Sequence, residues 1–360
     1  MNPINSRRSW LAGGFAALLT LGINPSFAAP AQTAKSSKTK TKSKAHGKIK
    51  PASKTQGETA FAPRVSSPAV QAFIQRAALA GVPEAFSTQL LMASTLQPSV
   101  KRYMDPPPAG ARKNWPAYKT RFTDALRIRK GQAFLQNYEV TFTAAQAKYG
   151  VPPAIIAAII GIETLYGTFT GHFKLGDVLP TLAFDYPRRA AFFQDELLSF
   201  MQLVQAGVLE HDTRGSFAGA LGLPQFMPGS LQRWGASAQS AQRIDLTVPE
   251  DAITSVAAFL QGHGWQNGAP IAFEAPLMNE AKAGEFLKLD ATPVYSHVVV
   301  ASFAPSHAPI NLNYAVVDLQ HLDATHEYLL TTQNFHTIMQ YNRSYFYAAA
   351  VWYLAQKLGL

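Results

Sequence analysis

Apolar residues return at intervals of three and four along much of the chain, the spacing of helices with one buried face. From Ser67 onward Val70, Phe73, Ile74, Ala77 and Ala78 form one such stripe, and Phe86, Leu90 and Leu91 repeat it. Pro83 and Pro98 punctuate these segments, and a proline-rich loop at Pro106–Pro108 leads through Trp115 and Tyr118 into further helix. Phe134, Tyr138, Phe142 and Ala145 mark one stripe that runs up to Gly150. The pattern then changes. Over Val294–Phe303 and Asn311–Leu319, β-branched and aromatic residues gather between Pro and Asn, which predicts short strands. A last helix, roughly Tyr345–Leu358, is predicted to pack back on the main body. The expected architecture is mainly α, with a small β insertion before the final helix.

The 360 residues are 47% hydrophobic, enough for a substantial core. The formal charge of +10 suggests an anionic partner until its distribution is read. Residues 1–64 hold eleven of the 32 Lys and Arg against Glu58 alone of the 22 acids, so the rest of the chain is balanced at 21 of each sign. Nucleic-acid binding needs a basic surface on the folded part and loses its support. The positive end is an address followed by a tether. Arg7 and Arg8 precede the apolar stretch Trp10–Ile23, and Ser26-Phe27-Ala28 offers small residues for cleavage, so residues 1–28 are expected to be a signal peptide of the Sec or twin-arginine kind. Residues 29–66 are Lys, Ser, Thr, Ala and Pro, the composition of a disordered linker. With no cysteine, the chain is not a lipoprotein and has no disulfide, thiol nucleophile or cysteine metal site.

Two segments carry the candidate chemistry. Val151–Gly167 begins with two prolines, ends in glycine and is otherwise nearly uninterrupted apolar helix. Glu163 is the ionisable group within it, with Ile156, Ile159, Ile160 and Tyr166 on its own face. Burial there raises a carboxyl pKa towards neutrality, as a general acid requires. A buried glutamate in a hydrogen-bonded or ionic pair explains the helix equally well. The second segment, Gly215–Ser230, sets glycines where a ligand can approach the backbone, beside Ser216 and Gln225 as neutral hydrogen-bonding groups and Phe226 as an apolar platform. That mixture suits a sugar.

Together these segments resemble the lytic murein transglycosylases of the B type. The resemblance includes the Glu163 helix, Phe184–Arg189, Gly215–Ser230, Ser255-Val256-Ala257 with His263-Gly264-Trp265, and Tyr341-Asn342 followed by Tyr347. It runs in order from about Ser67 to the C-terminus. It implies a lysozyme-like catalytic domain and cleavage of the β-1,4 bond between N-acetylmuramic acid and N-acetylglucosamine, ending in a 1,6-anhydro ring. Carried over by position, it implies Glu163 as the catalytic acid/base. Ser216, Gln225, Phe226, Tyr118, Tyr341, Asn342 and Tyr347 match positions lining the glycan cleft, and Arg188 and Arg189 match residues that meet stem-peptide carboxylates. Some family cleft tyrosines are Phe192 and Phe259 here.

The implied organisation is a helical region over 67–150, a lysozyme-like core over 151–270, a small β subdomain over 271–336 and a C-terminal helical segment over 337–360. The expected partners are peptidoglycan glycan strands, with room for other cell-wall enzymes in the envelope, and the expected state is a periplasmic monomer without cofactor or metal. His321 and His326 are five apart and lack the spacing of helical metal ligands. Gly262–Gly268 reads as a helix stop, not a dinucleotide loop. Some relatives carry a calcium loop after the glycine-rich motif, but Ser237–Arg243 here has no carboxylate, and Asp251 alone cannot supply the oxygens. Two other functions compete with the transglycosylase. One is a hydrolase using Asp177 or Asp185 as second carboxylate, and the other is an inactive peptidoglycan-binding scaffold, against which the presence of Glu163 argues.

Overall fold

The computed structural model describes residues 59–105, 113–239, 243–275, 284–301 and 308–360. The expected signal peptide, most of the linker and the Pro106–Pro108 loop lie outside the described residues. The last part of the expected linker belongs to the fold. Strand β1 (Thr59–Ala60) pairs with β2 (Thr95–Leu96), and Phe61 is fully buried. One large apolar side chain anchors a segment whose composition reads as tether.

Helices α1 (Pro68–Leu79) and α2 (Glu84–Ala93) bury the stripes that predict them, with Val70, Phe73, Ile74 and Ala77 inward on the first and Leu90 and Leu91 on the second. Then follow α3 (Pro98–Tyr103), α4 (Trp115–Phe122), α5 (Ala125–Asn137) and α6 (Glu139–Tyr149). The single stripe Phe134–Ala145 is in fact shared by two helices. The chain turns at Tyr138, and the rings of Phe134, Tyr138 and Phe142 close the corner, with Phe134 lying 4.9 and 5.8 Å from the other two. Periodicity survives such a turn because both helices face one core.

Helix α7 (Pro153–Thr164) is the centre of the molecule. Every residue from Ala154 to Thr164 is buried, and α5, α6, α11 (Pro249–Gly262) and α14 (Tyr345–Lys357) pack around it. Its end is not made by Gly167 alone. Leu165 and Tyr166 are both left-handed, at φ 51° and 57°, before Gly167 at 83°. Two consecutive non-glycine residues in that region store strain that the surroundings must hold. Gly161 gives the Tyr166 ring its place, since a Cβ there would lie 2.5 Å from the phenol oxygen. Short strands β3 (Phe173–Lys174) and β4 (Arg214–Gly215) flank α8 (Leu175–Asp185) and α9 (Ala190–Gln205), and α10 (Pro228–Trp234) follows the glycine-rich motif.

The β insertion is a four-stranded antiparallel sheet of β5 (Ala272–Ala275), β6 (Tyr295–Ser296), β7 (Asn313–Gln320) and β8 (His326–Thr331), in the order β5-β8-β7-β6. The expected strand over Val294–Phe303 shrinks to β6, because the chain turns at once into α12 (His297–Val300), while residues 302 and 303 lie outside the described residues. Three consecutive valines have strand propensity, yet Val298 is 84% exposed and only Val300 is fully buried, so no apolar face opposes them as a strand. The sheet's two faces serve different cores. Val317, Leu319 and Leu329 join the main core, whereas Tyr314, Val316 and Leu330 form a smaller cluster with Val300 and Ala308. Helix α13 (Gln333–Tyr341) then leads to α14, which is buried from Tyr345 to Ala355.

Candidate active site

Glu163 is one residue from the end of α7 and 5% exposed. Tyr347, in the first turn of α14, donates a 2.7 Å hydrogen bond from its phenol to Glu163 Oε1. Burial pushes the Glu163 carboxyl up to about 8, and the Tyr347 bond pulls it part of the way back. Both buried phenols beside it, Tyr347 and Tyr341, stand well above the ordinary tyrosine range, first through burial and then through Glu163. A carboxyl that keeps its proton near neutral pH thus faces phenols that stay neutral.

Tyr341 stacks on Tyr347, with centroids 6.3 Å apart and planes at 9°, and donates its own hydroxyl to the Pro224 carbonyl. The next residue of α7, Thr164, donates to the Leu223 carbonyl at 2.9 Å and accepts from the Gly167 N–H at 3.0 Å. Helix end and glycine-rich motif are therefore one piece on both sides of the carboxyl. Thr164 has no sequence signal of its own, since a threonine at a helix end is commonplace.

The glycine-rich motif does not use its residues as the sequence suggests. Ser216 Oγ accepts the N–H groups of Ala220 and Ala218, at 3.0 and 3.3 Å, and so shapes the turn. Leu221 and Phe226 exchange backbone hydrogen bonds at 2.8 and 3.1 Å. Gln225, left-handed at φ 51°, donates its amide to the carbonyls of Gly222 and Thr170 at 3.0 and 3.1 Å. Gly222, at φ 63°, lies against Leu246 where a Cβ would meet backbone. The close approach these small residues allow is that of the protein's own chain. Phe226 is no open platform: it is 2% exposed behind Phe259 and Tyr341, at 5.6 and 5.8 Å.

Tyr118 is half-buried on α4, stacked on Trp115 at 6.2 Å and within electrostatic reach of Tyr347. Asn342 ends α13, 1% exposed, and its buried Nδ2 has no hydrogen-bond partner. Arg188 is exposed. Arg189 lies over Phe192 at 4.0 Å and Phe193 at 5.2 Å, and feels Tyr186, Glu196 and Arg343. Phe192 thus carries a guanidinium. Glu196 escapes sequence reading although it lies on the apolar stripe of α9 with Phe193, Leu197 and Phe200. It is 6% exposed, accepts the Gly229 N–H at 2.7 Å, and burial pushes it up to about 7 against that bond and Arg233.

Both candidate second carboxylates have partners of their own. Asp177 accepts the Thr95 N–H at 2.7 Å, and Asp185 pairs with Arg64. The upward displacement of Glu163 comes from burial and is opposed by Tyr347, with no carboxylate among its causes. His321 and His326 sit on the sheet side, facing Glu327 at 3.1 Å and Asp318 at 3.2 Å. Among the described residues no three His, Asp or Glu side chains are grouped to hold a metal. The counterpart of the calcium loop, of which residues 240–242 lie outside the described residues, does not fit the ion. Asp251 spends one oxygen on Ser237 Oγ–H and Ala238 N–H, at 3.1 and 2.9 Å, and the other on Asp245 N–H at 2.9 Å. Arg243 donates to the Val208 carbonyl beside it.

The profile of the transglycosylase SLT domain matches residues 66–356. The membrane-bound lytic murein transglycosylase B of Escherichia coli K12 is 36% identical over 260 residues, 71% of this chain and 70% of that protein. The lytic transglycosylase Slt35 of Escherichia coli, solved in complex with calcium, superposes with a TM-score of 0.72 at 31% identity, over 84% of this chain and 95% of its own. SltB3 of Pseudomonas aeruginosa, solved with NAG-NAM-pentapeptide, superposes with a TM-score of 0.69 at 27% identity, over 80% of this chain and 78% of its own.

Proposed function

Because the chain belongs to the family of the transglycosylase SLT domain, we propose that it is a lytic transglycosylase of peptidoglycan in which Glu163 is both acid and base. Its action is cleavage of the β-1,4 bond between N-acetylmuramic acid and N-acetylglucosamine with formation of a 1,6-anhydro ring. The observation that carries this reading is a solitary buried carboxyl: Glu163 holds its proton up to about pH 8, takes one hydrogen bond from Tyr347, and has no second carboxylate at work on it.

Protonated Glu163 donates to the glycosidic oxygen as the C1–O bond breaks and its electron pair leaves with that oxygen. The centre left at C1 is oxocarbenium-like, and the substrate's own acetamido oxygen stabilises it in place of the carboxylate a retaining glycosidase supplies. Glu163, now ionised, takes the proton of the muramyl 6-hydroxyl as O6 closes on C1. Proton and charge balance, and water is not a reactant. Tyr347 donates to Glu163 in both states, which steadies the carboxylate during the second step.

The remaining roles follow the chemistry of each group. The buried Asn342 amide, without a protein partner, is a donor for a substrate carbonyl or hydroxyl. Tyr118, half-buried, lines the cleft, and Tyr341 backs it with its hydroxyl on the Pro224 carbonyl. Ser216, Gln225 and Phe226 act from behind by fixing its wall. Arg188 and Arg189 meet stem-peptide carboxylates, with Arg189 pre-oriented on Phe192. A murein substrate sets the site of action in the cell envelope, reached through the signal expected over residues 1–28.

The test is digestion of purified sacculi followed by mass spectrometry. Products should be lighter by one water, about 18 Da, than hydrolytic muropeptides, and should take up no label from oxygen-18 water. Ordinary reducing ends carrying the label would make the enzyme a hydrolase.

A further inference from the structure

The sheet stands apart from Glu163, yet its main-core face carries two carboxylates. Register pairs Glu274 of β5 with Leu329 of β8, and Glu327 of β8 with Leu319 of β7, so both acids share the face of Leu319 and Leu329. Glu274 Oε1 accepts the phenol of Tyr353 at 2.8 Å, and Glu327 Oε2 accepts the indole N–H of Trp115 at 3.0 Å. Trp115 is fully buried and Tyr353 is 6% exposed, so each needs the acceptor it has. Lys119 lies between them, 3.7 Å from Glu327 Oε2 and 3.7 Å from the centre of the Tyr353 ring.

The two donors belong to the helices that form the site. Trp115 opens α4, and its ring stacks on Tyr118. Tyr353 lies six residues, a little under two turns, beyond Tyr347 on α14. Trp115 also lies 5.7 Å from Tyr353 and 5.3 Å from Phe346, so the helices meet where the sheet holds them.

We propose that the four-stranded sheet is a positioning element for the reaction centre. Glu274, through Tyr353, sets the helix that brings Tyr347 to Glu163, and Glu327, through Trp115 and Lys119, sets the helix that brings Tyr118 to the cleft. This rests on the reading of Glu163 and Tyr347 as the reaction centre. The two acids touch no reacting atom and act only through the aromatic pair.

Glu274→Ala, Glu327→Ala and the two glutamine variants test it. Small displacements of a reacting constellation lower rates by up to about 100-fold. At a temperature where all variants are equally folded by circular dichroism, Glu274→Ala should lower kcat by about 10- to 100-fold. It should also move the alkaline limb of the pH profile upward, because a loosened Tyr347 bond no longer pulls Glu163 down. Glu327→Ala should act mainly on KM through Tyr118. Glutamine keeps an acceptor oxygen at either position and should restore most of the loss. Alanine variants that match wild type in kcat, KM and pH limb would overturn the proposal, as would losses that track the folded fraction alone. The carbon-13 shift of the Glu163 carboxyl, titrated without substrate, reads the same coupling without turnover. An upward displacement in Glu274→Ala supports the brace and an unchanged titration sinks it, whereas wild type inert on sacculi counts only against the functional reading.

Discussion

The phenol oxygen of Tyr347 lies 2.7 Å from Oε1 of Glu163 across 184 residues of chain. Two opposed influences meet in that contact. Burial of α7 holds the proton on the carboxyl, while the phenol favours its release. The first step needs the protonated acid, so kcat/KM should fall as pH rises through about 8. In Tyr347→Phe the burial remains and the opposing bond is gone. Its limb should move to higher pH while the rate at neutral pH drops. A pH profile of both enzymes on sacculi checks this, and a limb that stays put or moves down would contradict the assignment.

Glu163→Gln keeps the size of the side chain and an oxygen for Tyr347 to donate to, but cannot transfer the proton. Turnover should fall by at least about 10²–10⁴-fold, the usual contribution of an acid/base group. Binding of glycan fragments, measured by calorimetry, should persist. Anhydro product released at near wild-type rate by the folded variant would remove Glu163 from its role.

Stability should carry the opposite sign to the usual acid pattern. Glu163 and Glu196 are raised from about 4.5 to about 8 and about 7. Between these values the folded chain holds protons that the unfolded chain has released, so unfolding free energy falls with rising pH. The contribution is fully present below about pH 4.5 and lost through about pH 7 to 8. At about 1.4 kcal/mol per unit, the two displacements together set an upper bound of about 8 kcal/mol on the loss. Urea titrations from pH 5 to 9 measure it, and Glu163→Gln should flatten the upper part of the decline.

Calcium and chelators should leave the Tm unchanged, because Asp251 already spends both oxygens on N–H and O–H donors. Asp251→Ala removes a charged acceptor from three donors of a partly exposed loop, where water can take its place, and should lower stability by about 1–3 kcal/mol, the net worth of hydrogen bonds to a charged group. Thermal scans with calcium or with chelator test both statements, and a clear calcium-dependent rise in wild type would contradict the first.

The helical fold was legible where one face is buried and one is wet, as along Val70–Ala77, and Glu163 stood out because nothing else on its helix can ionise. What periodicity could not report is which residues turn a corner. Tyr138 continues a stripe while breaking a helix, and Val298 has a strand former's shape with no partner sheet. The glycine-rich motif showed its importance but not its logic, because Gln225 and Ser216 are hydrogen-bonded to neighbours that only the folded loop brings near. Glu274 and Glu327 were silent for a related reason. An acid on a strand looks like a solvated position until the helix opposite presents an indole or a phenol.

The order in which the site is written along the chain has a consequence in time. Glu163 emerges from the ribosome long before Tyr347, and between them come the glycine-rich motif and the whole sheet. Until α14 docks, α7 lacks one of its main covering surfaces and its carboxyl lacks its phenol. Domains fold as units during synthesis, so one whose last helix has not yet emerged cannot complete its core. A nascent chain of this kind therefore holds Glu163 without its phenol, and the constellation around the carboxyl is complete only once the last helix has docked.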